Sequence, residues 1–383
     1  MIASPGDYDA IKALVARTAR GLGAGDVRVV SAFPDEATRE RMRASFERGD
    51  LATWGYTGRY ARAAADPAQL LEHAKAVICV AVPYAGGEVR AKRPLCGRIS
   101  NYAWSGDYHH RVRELLAQIA RRIDAAVGKP VTAIACDTRP LAERAFAARA
   151  GLGWIGKHTN LISPAFGSYV FLGEIVTTLP LPADAPIRKT CGSCVRCVQA
   201  CPTQALRGDY TIDASRCIAD LTQRTDGIPR ELRALLGEWL WGCDICQIVC
   251  PPNAIAGKTP IDDGIANEES AQPSLVSLLR MRSGEFKRKY ARGAVGWRGA
   301  AVLRRNAAVA LGNALDRSAV PALSDSLAKD PHPMVRAHVA WALGRIGSPS
   351  AVSALQRRYG MESDPTVREE IQAALVGLYK GSQ

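Results

Sequence analysis

The stretch Cys191-Gly-Ser-Cys194-Val-Arg-Cys197-Val-Gln-Ala-Cys201-Pro202 decides how the rest of the chain is read. Three thiols at intervals of three can hold three corners of one iron–sulfur cube, while a fourth beyond the turn and followed by proline serves a second cube. A second group, Cys243-Asp-Ile-Cys246-Gln-Ile-Val-Cys250-Pro251, lacks the leading cysteine of a symmetric ferredoxin, and Cys217 stands between the groups to supply it. The cross-ligation rule gives Cys191, Cys194, Cys197 and Cys250 to the first cluster and Cys201, Cys217, Cys243 and Cys246 to the second. Zinc also uses Cys-x-x-Cys pairs, but it needs neither the third cysteine nor two Cys-Pro endings. Two 4Fe–4S clusters imply transfer of single electrons and leave open what is reduced.

Outward from this block the cysteines thin out sharply. Of eleven, only Cys79, Cys96 and Cys136 precede it and none follows Cys250, which divides the chain into three parts. The length of 383 residues fits two or three domains. The first thirty residues carry Asp7, Asp9 and Asp26 and no apolar run ahead of a cleavage site, which argues against a secretory signal. Cysteine-rich chains without such a signal point to metal or redox chemistry in a reducing compartment, here the cytoplasm. The longest apolar run, Val77 to Val82, is too short to span a bilayer, so no membrane association is expected. A net charge of +13 points to an anionic partner.

The first part, residues 1–185, alternates helical and strand patterns. Apolar positions at Ile11, Leu14 and Val15, and again at Val112, Leu115, Leu116, Ile119 and Ile123, mark two amphipathic helices. Ala76 to Val82 is a continuous β-rich run ended by Pro83 and reads as a buried central strand. Val27–Phe33, Val131–Cys136 and Tyr169–Leu179 read as further strands, giving an α/β domain. Residues 186–260 form the ferredoxin-like region. In residues 275–383, LRRNAAVALG from Leu303, VRAHVAWALG from Val335 and VREEIQAALV from Val367 recur at offsets of 32 and 32, with prolines at the turns between them. That period marks a short stack of HEAT-like helix pairs.

Three motifs carry less than their letters promise. Gly151-x-Gly153-x-x-Gly156-Lys157 fits a dinucleotide pattern, but a helix precedes it where a strand is required, so Gly151 reads as a helix C-cap. His109 and His110 are adjacent on a helix and diverge, so they cannot chelate one ion together. Trp239 and Trp241 read as packing beside the second cysteine group.

Several segments together resemble epoxyqueuosine reductases over nearly the whole chain. They are Ile99-Ser100 with Gly106-Asp107-Tyr108-His109, Cys136-Asp137-Thr138-Arg139-Pro140 with Glu143-Arg144, Ala150-Gly151-Leu152-Gly153-Trp154-Ile155-Gly156-Lys157-His158, and Phe171-Leu172-Gly173-Glu174. The cysteine block, Leu221-Thr222-Gln223 and Arg305-Asn306-Ala307 continue the match in order. The resemblance implies reduction of the epoxide of epoxyqueuosine at the tRNA wobble position, the last step of queuosine biosynthesis, by base-off cobalamin and two 4Fe–4S clusters. It implies an N-terminal α/β cobalamin-binding domain and helical repeats that help hold the tRNA. Asp137 occupies the family's proton-donor position, and for that role burial against the corrin should raise its pKa. Arg59, Ser100, Lys157, His158, Asn160, Thr222 and Gln223 fall in segments near the cofactor.

Between Arg280 and Arg305 lie nine Arg or Lys and one acid, Glu285, interleaved with Phe286, Tyr290 and Trp297. Cations for phosphates and rings for unstacked bases suit an RNA loop. Arg280, Lys287, Arg288, Lys289, Arg292, Arg298, Arg304 and Arg305 are therefore the expected contacts to the anticodon arm of an epoxyqueuosine-containing tRNA. The alternatives are a corrinoid dehalogenase, disfavoured by the charge, the appended repeats and the missing export signal, and an electron carrier that would need neither Asp137 nor so large an α/β domain. A monomer served by an unidentified electron donor completes the expectation.

Overall fold

Apolar β-branched residues on both faces of one strand require cover on both sides, and the computed structural model supplies it. It describes residues 5–84, 91, 93–104, 106–255 and 268–380. The strands β1 (Asp26–Ser31), β2 (Ala76–Pro83), β3 (Thr132–Ala135) and β4 (Val170–Thr177) form one sheet in the order β1-β2-β4-β3, antiparallel throughout. Every residue of β2 is buried. Two helices, α1 (Pro5–Gly21) and α2 (Tyr108–Val127), turn their apolar stripes inward. Asp107 caps α2 by accepting the N–H of His109. Gly173 in β4 has no side chain where a Cβ would stand 2.8 Å from Val112 and Leu116, so α2 can lie close against the sheet. Against the other face packs α3 (Glu143–Ala150), whose Phe146, Ala147 and Ala150 join Val77, Cys79, Ala135 and Val176 in one core. The chain leaves α3 through Gly151 at φ +88, the left-handed C-cap expected from its position.

The chain condenses into two compact units that interleave in sequence: residues 1–88, 107–215 and 245–262 form the first, and residues 89–106, 216–244 and 263–383 the second. This differs from a division at 185 and 260. The cysteine block is shared, with Cys217 and Cys243 belonging to the second unit and the other six to the first. The boundary expected at 260 lies outside the described residues.

In the second unit the 32-residue repeat appears as α4 (Ala300–Ala314), α5 (Val320–Lys329), α6 (Pro333–Ile346), α7 (Pro349–Tyr359) and α8 (Pro365–Lys380). Gly312 and Gly344, also 32 apart, let successive helices touch, since a Cβ on either would meet Ala342 or Ala374 at under 3.0 Å. The repeat also sets its ion pairs. Arg304 binds Asp330 at 2.6 Å and Arg336 binds Glu362 at 2.8 Å, both partners again 32 apart. Arg368, the third in phase, donates to the carbonyls of Tyr359 and Glu362.

Candidate active site

The short strand β3 ends at Ala135, and the chain must turn sharply at the sheet edge. It does so through Asp137 at φ +53, with the N–H of Thr138 donating to the Cys136 carbonyl at 2.5 Å. This is a γ-turn with a left-handed central residue, a conformer rare for any residue but glycine and least unfavourable for Asp and Asn. The turn delivers the Asp137 carboxylate to the surface, where its side chain is 58% exposed. Oδ2 lies 2.8 Å from His109 Nε2, and His109 Nδ1 lies 2.6 Å from Asp107 Oδ1. A chain Asp107–His109–Asp137 thus joins the N-cap of α2 to the end of β3. Rings stack up to it: Tyr108 lies parallel to Phe171 at 4.2 Å and beside His109 at 4.1 Å, and Tyr84 stacks on Phe171 at 4.4 Å.

The electrostatics reverse one expectation. Asp137 should have a raised pKa, but the His109 hydrogen bond holds it below the ordinary carboxylate range, outweighing desolvation. The same contact, with Asp107 behind it, raises His109. Both shifts favour the imidazolium–carboxylate form of the pair, with the transferable proton on His109. The acids that are raised lie beneath the turn: burial takes Glu143 to about 7 and Glu174 well above its usual value.

Lys157 and His158 sit in the segment after the Gly151 cap. The Lys157 N–H donates to Cys191 Sγ at 3.4 Å and its Nζ to the Gly192 carbonyl at 2.9 Å, so this segment is bound to the first cysteine loop. His158 is 3% exposed, and burial lowers its pKa to about 4, which leaves it neutral. Its Nδ1 accepts the Asn160 N–H at 3.3 Å, so the proton is on Nε2, a buried donor with no acceptor among the described residues. Arg59 is exposed beside Tyr56 and Tyr60, whose ring centroids are 4.5 Å apart and whose hydroxyls feel the Asp137 charge.

Of the first group's thiols, Cys250 and Cys191 share one apolar cluster with Trp154 and Ile162, and burial, with Cys191, Cys197 and Cys194 adding to it, pushes Cys250 up to about 12. Asn253 steadies this side by donating to the Gln247 carbonyl and the Ser168 hydroxyl while its own oxygen accepts the Ser168 N–H. Gly167 makes room for it, since a Cβ there would overlap the Asn253 amide.

Other expected site residues serve the scaffold of the second unit. Ser100 is buried and donates to Asp244 at 2.5 Å. The Thr222 hydroxyl is buried between the Gly242 N–H at 3.0 Å and the Ala219 carbonyl at 3.1 Å, and Gln223 Nε2 donates to the same carbonyl. Arg305 is a correction: it is 0% exposed and donates to the carbonyls of Leu221, Arg224 and Asp226. Arg304 is another, being the repeat-phase partner of Asp330. Arg280, Lys287, Arg288, Lys289 and Arg292 are exposed; Lys289 already meets Glu269 and Glu285. Arg298 stacks on Trp297, itself 53% exposed, at 3.8 Å. Sequence reasoning read His109 as half of an unproductive histidine pair, and it gave Glu174 no role beyond its place in a segment of the resemblance. An acid inside the apolar run Phe171 to Val176 was the available signal.

Comparison with known proteins matches three segments of the chain to family models. Residues 65–138 match the family model for epoxyqueuosine reductase QueG, residues 190–253 that for a 4Fe–4S double cluster binding domain, and residues 298–376 that for HEAT repeats. An epoxyqueuosine reductase of Bacillus anthracis is 33% identical over 348 residues, covering 87% of this chain and 88% of that protein. One of Lactococcus garvieae is 39% identical over 69% of this chain and 76% of its own length. A crystal structure of an epoxyqueuosine reductase with a tRNA-Tyr epoxyqueuosine-modified stem loop superposes with a TM-score of 0.91 at 32% identity, covering 97% of this chain and all of that one. A Bacillus subtilis structure whose catalytic aspartate loop is swung out of the active site gives 0.90 at 31% identity, over 97% of this chain and 99% of that one.

Proposed function

The chain belongs to the epoxyqueuosine reductase family, and from that premise we propose how its own residues reduce an epoxide carried by tRNA. The reaction turns epoxyqueuosine in tRNA into queuosine. Two electrons and two protons enter, both carbon–oxygen bonds of the epoxide break, and the oxygen leaves as water. Two 4Fe–4S clusters pass the electrons singly. Cys191, Cys194, Cys197 and Cys250 are the ligands of one, and the sequence rule gives Cys201, Cys217, Cys243 and Cys246 to the other.

Proton delivery is assigned to Asp137 acting with His109, and the Asp107–His109–Asp137 chain carries this reading. His109 stores the proton, Asp137 presents it at the surface, and Asp107 keeps the imidazole oriented and charged. His109 passes its proton to the Asp137 carboxylate as the substrate oxygen draws it on, so a carboxylate of low pKa can serve as the relay at neutral pH.

The residues around Asp137 also fit cobalamin. Flat rings at Tyr56 and Tyr60 border the carboxylate, Arg59 is exposed beside them, and the His158 Nε2–H is a buried donor awaiting an acceptor such as a corrin amide oxygen. Lys157 and Asn160 hold that histidine's segment in place. When bound, the corrinoid supplies a low-valent cobalt centre able to deliver the electron pair to carbon.

The substrate RNA is read by the exposed cations Arg280, Lys287, Arg288, Lys289 and Arg292 and by the half-buried Arg298, with the Trp297 ring beside it placed to meet an unpaired base. The enzyme works as a cytoplasmic monomer fed by a separate electron donor. Asp137→Asn in the holoenzyme tests the central assignment. It should lower kcat on epoxyqueuosine-containing tRNA by about a hundredfold or more, with KM for the tRNA unchanged. Turnover near the wild-type rate would overturn the proton-donor role.

A further inference from the structure

Glu143 opens α3, yet it does not serve its own helix. Ala142 occupies the N-cap position and makes no side-chain cap. The Glu143 carboxylate turns back instead, and its Oε1 accepts the Asp137 N–H at 2.5 Å. That N–H belongs to the left-handed residue of the γ-turn, the conformer the backbone would most readily abandon. Other ties reach the turn through side chains: Arg113 donates to the Thr138 hydroxyl at 2.5 Å, and His109 holds the Asp137 carboxylate.

Beneath Glu143 stands Glu174, in the middle of β4 and fully buried. Its cross-strand neighbours are Cys79 on β2 and Ala135 on β3, on the face covered by α3. Neither Glu174 oxygen meets a hydrogen-bond donor among the described residues. The nearby cations are engaged elsewhere: Arg144 donates to the Thr159 carbonyl at 2.7 Å, and Arg149 lies 3.5 Å from Asp35. Cys79 and Cys136, the remaining titratable neighbours, are buried thiols with raised pKa values. Burial raises both carboxyl groups, Glu174 the more strongly, and Arg144 offsets this only in part at Glu143, so the pair favours keeping a proton on Glu174.

We propose that Glu143 is a positioning residue for the proton donor: its carboxylate, steadied from below by Glu174, fixes Asp137 in the left-handed turn from which it meets His109. The inference rests on the reading of Asp137 as proton donor. It deepens that reading by naming what keeps the carboxylate on its proton source. Glu143 touches neither the substrate nor the transferred proton.

The test uses the holoenzyme and three readouts: steady-state kinetics on epoxyqueuosine-containing tRNA, amide hydrogen exchange over residues 136–140, and the NMR titration of His109. Glu143→Ala should lower kcat roughly thirtyfold with KM unchanged, speed exchange at 136–140 by about tenfold, and move the His109 titration down towards that of a free imidazole. Glu143→Gln keeps an acceptor for the Asp137 N–H and should rescue most of all three. Glu143→Asp, one methylene too short, should behave like the alanine variant and serves where that variant fails to fold. Wild-type exchange and titration in both the alanine and aspartate variants would overturn the proposal. So would a glutamine variant as impaired as alanine. An active Asp137→Asn enzyme would sink the donor reading alone, and the exchange and titration results would still decide whether Glu143 holds the turn.

Discussion

Arg304 and Arg336 stand 32 residues apart in the helical repeats, and each finds a carboxylate that is itself repeated 32 residues on. Glu143 and Glu174 lie beneath the Asp137 turn and form no ion pair among the described residues. Both arrangements bury charge, but only the first neutralises it. A folding chain gains nothing from two acids pressed together in an apolar core, whereas a repeated, bidentate pair fixes the register of one helix on the next. Periodic and paired charge in this molecule is architecture. Unpaired charge beneath a left-handed turn is chemistry.

Breaking the architectural side should give the largest effect. Arg336→Met leaves Glu362 buried beside Arg358 alone and should cost about 3–5 kcal/mol of stability, read as a lowered denaturation midpoint with the catalytic rate per folded molecule unchanged. The pair also sets an acid limit. Burial by itself would raise Glu362, but hydrogen bonds from Arg336, the Asp364 N–H and Arg358 outweigh it and hold the group at about 2, against an ordinary 4.5. A depressed carboxylate contributes stability that is complete above its unfolded pKa and is lost as pH falls through its folded one. Unfolding of the repeats should therefore steepen between about 4.5 and about 2 in the wild type and lose that steepness in the variant.

On the chemical side the signs change. His109→Gln should cut kcat by roughly a hundredfold while leaving the denaturation midpoint within about 0.5 kcal/mol of the wild type. His109 is raised by Asp137 and Asp107, so it holds its proton below that raised value and loses it above. Wild-type turnover should accordingly fall as pH rises through the His109 pKa, and the variant should lack that limb. A histidine variant with the full alkaline limb would assign the proton store elsewhere. Beneath it, Glu174→Gln removes a buried acid while keeping its shape and a donor for Glu143. Stability should hold or rise by up to about 1 kcal/mol while exchange at the Asp137 turn changes little. A clear loss of stability would mean that the acid pair is a structural bond like those of the repeats, and the contrast would fail.

How much of this was legible beforehand follows the same line. Features set by local chain geometry could be read directly: the Cys-Pro endings, the buried run Ala76 to Val82, the Gly151 cap and the 32-residue phase. Arg304 was legible too, because it shares its phase with Arg336 and Arg368, although it was counted with its basic neighbours. Arg305 was not. Its burial depends on three carbonyls about eighty residues earlier, between Leu221 and Asp226, and no window of sequence contains them. His109 and Asp137 are 28 residues apart and meet only because α2 begins where β3 ends. The interleaving of the two units was equally invisible, since composition changes along the chain while contacts close across it.

The smallest expected effect separates basic residues that the sequence alone could not tell apart. Arg288 is exposed, and no acid holds it in an ion pair among the described residues, so it can neutralise a phosphate. Lys289, one residue on, already shares its charge with Glu269 and Glu285. Each phosphate contact releases counterions, and losing one should reduce the slope of log affinity against log salt by about 0.7–0.9. Arg288→Gln should show that reduction for binding of epoxyqueuosine-containing tRNA, with a loss in affinity of only a few-fold. Lys289→Gln should show less, because its ammonium is partly neutralised before RNA arrives. Arg304→Gln should leave the slope unchanged and lower stability instead, since its guanidinium belongs to Asp330. Equal slopes for Arg288→Gln and the wild type would move the RNA-binding face off this segment, because exposure without counterion release is not a phosphate contact.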